Sequence, residues 1–99
     1  MKRPFCSSYL TGEARVILAL YYCRCCDLLD IVRFTCLERD EAVELLAELM
    51  TSGTVRRCMG EKFGLTGSGE VAARKILGDM RLVLLLLRGR VRGLEEEGI

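Results

Sequence analysis

The sequence predicts a mainly α-helical domain that carries one small β-hairpin. Apolar residues recur at helical spacing in several separate stretches, and two short strand-like runs meet around Gly60 and Glu61. The chain has one proline and no linker or repeat to divide it. Its 99 residues suffice for one domain with a modest core. The expected organisation is an N-terminal arm over 1–10, the domain over 11–77, and a C-terminal helix and tail over 78–99.

Each element has its own signal. Thr11 can cap a first helix through "EARVILALYY", with Glu13 in the first turn where the helix dipole favours an acid. Ala14, Ile17, Leu18 and Tyr21 are its expected buried face. The "CRCC" that follows is too short for a helix and reads as a brief edge strand. Asp27 caps a second helix, "DLLDIVRFT", with Leu28, Ile31, Val32 and Thr35 at helical spacing. Thr35 and Glu38 have capping-box spacing for a third helix, whose N-cap can equally be Glu38. Its apolar stripe is Ala42, Leu45, Leu46 and Leu49, and Gly53 falls just beyond its end. "TVRRCMG" and "EKFGLT" form the hairpin, Thr66 or Ser68 caps a fourth helix, and a last helical segment runs from Asp79 towards Gly93.

Helix, short strand, helix, helix, hairpin, helix is the order of a winged helix-turn-helix domain. Leu37 stands in the turn, Gly53-Thr54-Val55 opens the hairpin, and Phe63-Gly64-Leu65-Thr66-Gly67-Ser68-Gly69 closes it. These residues resemble the turn leucine, the Gly-apolar-Val opening and the aromatic-x-Leu-Thr-x-x-Gly ending of prokaryotic and archaeal winged-helix regulators of the MarR, ArsR and PadR types. The resemblance spans about 13–77. It implies a winged helix-turn-helix domain acting as a small DNA-binding transcriptional regulator; no cofactor is expected.

Under that resemblance the third helix is the reading helix, with Arg39, Asp40, Glu41, Val43, Glu44 and Glu48 on its exposed face. Acidic side chains there can accept from cytosine but repel flanking phosphates, so Arg39 and Glu44 are the candidate base readers. Arg56, Arg57 and Lys62 on the hairpin, with Arg33 on the second helix, form the candidate phosphate contacts. The alternative is an interaction module whose acidic third helix binds a protein partner and which does not touch duplex DNA.

Leu77, Met80, Leu84, Leu87, Val91 and Leu94 are spaced as a two-helix seam, and a C-terminal dimerisation helix is expected to form a homodimer through Leu77 to Val91; packing back onto the chain's own first helix is the alternative. Fifteen basic residues against fourteen acidic ones leave a net charge of +1, so any DNA footprint is local. No histidine or phosphate loop supports an enzyme. The absence of Asn, Gln, His and Trp points to a hyperthermophilic, archaeal origin. No stretch reaches the ~20 apolar residues of a membrane span, and the chain reads as cytoplasmic. Six cysteines, Cys6, Cys23, Cys25, Cys26, Cys36 and Cys58, are expected to include at least one disulfide. Buried thiols or zinc at Cys23-x-x-Cys26 are the alternatives.

Overall fold

The computed structural model describes residues 10–81. Three helices, α1 (Gly12–Cys23), α2 (Leu28–Thr35) and α3 (Arg39–Thr51), precede an antiparallel hairpin of β1 (Val55–Arg57) and β2 (Phe63–Leu65). A fourth helix, α4, occupies 67–81 at the end of the described residues. The element order is the expected one.

The first two helices start on side-chain caps. Thr11 accepts from the Ala14 N–H at 3.1 Å and Asp27 accepts from Asp30 at 2.9 Å, each satisfying an N–H the helix itself cannot. The α3 start departs from the capping-box reading. Thr35 donates its hydroxyl to Ile31 O at 2.6 Å and accepts from Leu37 N–H, so it stays within the turn, and Glu38 is an N-cap without a side-chain hydrogen bond. For α4 the choice falls on Thr66, which accepts from the Gly69 N–H at 3.1 Å.

The end of α3 is closed by a left-handed residue. Gly53 has φ of +81°, its N–H bonds Met50 O, and Thr54 N–H reaches back to Leu49 O. This pairing satisfies two terminal carbonyls and turns the chain into β1. Val55 then points inward at 3% exposure, beneath the helices.

The burial of α1 differs from the single face its spacing predicts. Val16, Ile17, Leu18, Ala19 and Leu20 are all buried, while Ala14 and Tyr21 are only half-buried. The cause is that α1 is covered from two sides. Val16, Ile17 and Leu20 join Ile31, Leu46, Leu49, Val55 and Ala73 in the main core. Leu18 and Ala19 face the other way, onto Phe34 and onto Ile76, Leu77 and Met80 of α4.

That second cluster bears on the expected seam. Leu77 and Met80 pack against the chain's own α1, and α4 continues through Gly78 rather than restarting at Asp79. Leu84, Leu87, Val91 and Leu94 lie outside the described residues. Among the described residues, no helix is long and apolar enough to cross a membrane.

Candidate nucleic-acid interface

The exposed side of α3 carries Arg39, Asp40, Glu41, Val43, Glu44 and Glu48, as its spacing requires once Ala42, Leu46 and Leu49 are buried. The helix N-terminus offers unpaired N–H groups to an anion, but Asp40 and Glu41 already occupy its first turn. One arginine against four carboxylates makes this face electronegative. Arg33, in the last turn of α2, is exposed as expected.

The hairpin presents the opposite sign. Val55 pairs with Leu65, Arg56 with Gly64 and Arg57 with Phe63. Its tip is a turn in which Lys62 N–H bonds Met59 O and Gly60 takes a φ of +57°. Arg57, Lys62 and Met59 are exposed there, Met59 at 72%. Side chains alternate along a strand, so Arg56 and Cys58 share one face of β1 and Arg57 takes the other. Arg56 lines a cleft with Arg24 and Arg74, whereas Arg57 and Lys62 do not. The three basic hairpin residues expected to act alike are all exposed, but they divide into one that lines this cleft and two that do not.

The hairpin is fastened to the body at its base and along its length. Thr66 Oγ1 donates to Gly53 O at 2.6 Å and lies 3.1 Å from Thr54 O, tying the exit of β2 to the approach to β1. Cys26 exchanges two backbone hydrogen bonds with Phe63, at 3.0 and 2.8 Å, which realises the brief edge strand expected at "CRCC" as a single bridge. Beside it a disulfide joins Cys25 to Cys58, Cα to Cα 5.9 Å.

The other cysteines separate by environment. Cys36 is also disulfide-bonded, and Cys6 lies outside the described residues. Cys23 and Cys26 are thiols that hydrogen-bond each other. Burial pushes the Cys26 thiol up to about 12, with help from Cys23, Asp30 and Asp27. Burial also raises Cys23. Such thiols resist ionisation and are poor nucleophiles at neutral pH. Among the described residues no group of three or more His, Cys, Asp or Glu side chains is placed to hold a metal.

The arginines of the cleft were not legible as a set. Arg24 sits inside "CRCC", where the cysteines dominate any reading, and Arg74 reads as an ordinary exposed charge on α4.

No family model and no curated protein matches the sequence. Solved structures do match the fold. A MarR family transcriptional regulator from Silicibacter pomeroyi DSS-3 superposes with a TM-score of 0.71 at 18% identity, covering 77% of this chain and 57% of that one. Bordetella bronchiseptica BpsR, whose DNA binding is regulated by 6-hydroxynicotinic acid, gives a TM-score of 0.64 at 20% identity, covering 83% and 63%. Ligand-free NadR gives 0.59 at 22%, covering 88% and 77%. The chain therefore spans less than two thirds of the length of the first two. Over the described helices and hairpin, this chain has the winged helix-turn-helix fold of MarR-type regulators.

Proposed function

We propose that this chain is a DNA-binding transcriptional regulator that works as a homodimer and anchors on duplex DNA through its wing more than through α3. One observation carries the reading: the hairpin offers Arg57 and Lys62 to solvent, while the exposed face of α3 holds four carboxylates around Arg39. Phosphates flanking a groove attract the first surface and repel the second. Arg56 on the wing and Arg33 on α2 add basic charge, and a carboxylate of α3 such as Glu44 can accept from cytosine. The fold shared with BpsR, a protein whose DNA binding is regulated, supports the same assignment.

The homodimer seam runs through Leu77, Met80, Leu84, Leu87 and Val91. A two-fold dimer presents two wings to successive turns of one duplex. The part of Leu77 and Met80 that α1 leaves uncovered remains accessible to a second copy.

Fluorescence anisotropy with a generic labelled duplex at low salt tests DNA binding, and sedimentation velocity at micromolar concentration tests the dimer. Binding that weakens steeply with salt, by a species of twice the chain mass, is the expected result. No binding at low salt would instead identify the acidic face of α3 as a protein-binding surface.

A further inference from the structure

A cleft of about 570 Å³ opens between the end of α1, the Arg56 and Cys58 face of the wing and the first turns of α4, with Leu20 as an apolar part of its lining. Its polar lining is Arg24, Arg56 and Arg74 against a single carboxylate, Glu70, and Tyr21 and Tyr22 supply aromatic surface. We propose that this cleft binds a small phosphate monoester bearing an aromatic ring and hydroxyl groups, the chemistry of a mononucleotide.

Charge selects the ligand class. Glu70 lies 3.9 Å from Arg74, so three guanidinium groups and one carboxylate leave an excess of two positive charges. A carboxylate ligand neutralises one of them. A phosphate monoester carries about 1.5–2 negative charges at neutral pH and offers three oxygens to the planar donors of arginine. Glu70 retains acceptor capacity for ligand hydroxyls. The Tyr21 and Tyr22 rings stand at 86° with centroids 5.7 Å apart, so they present surfaces in two directions to a ring. The volume lies within the range of small-molecule sites.

The position of Arg24 is built rather than incidental. Its φ of +67° and ψ of −51° put a non-glycine residue at the centre of a γ-turn, closed by Cys25 N–H to Cys23 O at 2.7 Å. The following two residues hold that conformation, Cys25 through the disulfide to Cys58 and Cys26 through its bridge to Phe63. Gly64, opposite Arg56, lets the turn lie against the hairpin: a Cβ there would come within 2.8 Å of Arg24 O. Strained residues locked by their surroundings are a recurrent property of ligand-binding sites. The cleft is concave and set behind the wing, which suits a small molecule better than a duplex backbone.

Isothermal titration of the full, unreduced chain tests the proposal with adenosine 5′-monophosphate, inorganic phosphate and benzoate as probes. The nucleotide is expected to bind at least tenfold more tightly than the other two. Arg74→Ala and Arg24→Gly should each weaken it by tenfold or more, the loss of one charge-assisted contact. Glycine at position 24 accepts the positive φ, so that variant keeps its fold, with circular dichroism as the check. Tighter binding of benzoate, unchanged affinity in both variants, or no nucleotide binding at millimolar concentration would each overturn the assignment. Nucleotide silence together with weaker duplex binding by both variants would make these arginines a DNA-phosphate surface instead.

Discussion

Cys25 and Cys58 are joined across 33 residues of chain, so the turn after α1 and the end of β1 form one covalent unit. Between them lie α2, α3 and β1, which carry the exposed face of α3 and, of the basic wing residues, Arg56 and Arg57 but not Lys62. The bond closes a loop around the helix-turn-helix itself. The Cys26–Phe63 bridge then fastens the second strand of the wing to the same turn.

Removing that bond should cost stability while leaving the fold intact. On the chain-entropy model a closed loop of this length contributes about 3–4 kcal/mol. Cys25→Ala with Cys58→Ala should lower the unfolding free energy by about that amount in urea denaturation without reductant. Reductant should then have less effect on the variant than on the parent. A parent chain that shows six alkylatable thiols before reduction would refute the disulfide assignment.

Much of the architecture was legible because local signals and global pattern agreed. Thr11 and Asp27 cap the helices their positions announced, and Gly53 adopts the left-handed turn that its place after α3 required. What stayed hidden had physical reasons. Five consecutive buried residues in α1 obey no 3.6-residue stripe, because helices and wing cover one side and Phe34 and α4 the other. Thr35 looked like a cap, but its hydroxyl is satisfied within its own turn. Six cysteines permit fifteen complete pairings, and sequence alone ranks none of them. Arg24 escaped notice because a positive φ in a non-glycine residue leaves no mark in the sequence.

The wing reading makes a quantitative demand on salt dependence. Each phosphate contact releases counterions, so losing one flattens the slope of log affinity against log salt by about 0.9. Arg57→Ala with Lys62→Ala should weaken binding to unrelated duplexes alike and reduce that slope by about 1.8. Glu44→Gln should leave affinity unchanged or raise it, since it removes a negative charge from α3. Equal affinity of the double variant and the parent at every salt concentration would show that the wing is not the anchor.

The buried thiols predict a stability loss in alkali. Cys26 ionises near 12 in the folded chain against 9.0 as its ordinary value, with burial the leading cause. Between those limits the unfolded chain gives up its proton and the folded chain keeps it, so stability falls as pH rises. The contribution is intact below 9, declines above it, and is lost as pH passes the folded value. Urea unfolding at pH 8, 9 and 10 should therefore show a decline above 9 that is shallower in Cys26→Ala; equal slopes in the two proteins would remove Cys26 as the cause. The same property predicts that iodoacetamide labels Cys26 slowly in the native chain at pH 7.5 and readily after unfolding.

Arg24 sets stability against the role assigned to it. A non-glycine residue in an unfavourable positive-φ conformation costs about 1–3 kcal/mol, whereas glycine accepts it with little strain. Glycine has its own cost, about 0.5–1 kcal/mol of extra conformational entropy in the unfolded chain. Relief of strain is the larger of the two, so Arg24→Gly should stabilise the protein by about 1 kcal/mol in urea denaturation. Arg24→Ala keeps the Cβ and the strain, and should show no comparable gain. The two substitutions remove the same guanidinium, so any ligand or DNA affinity that depends on that charge should fall in both. A chain made more stable by Arg24→Gly and weaker in nucleotide binding would show strain held for a binding group; a chain destabilised by it would show that the arginine side chain itself holds the turn.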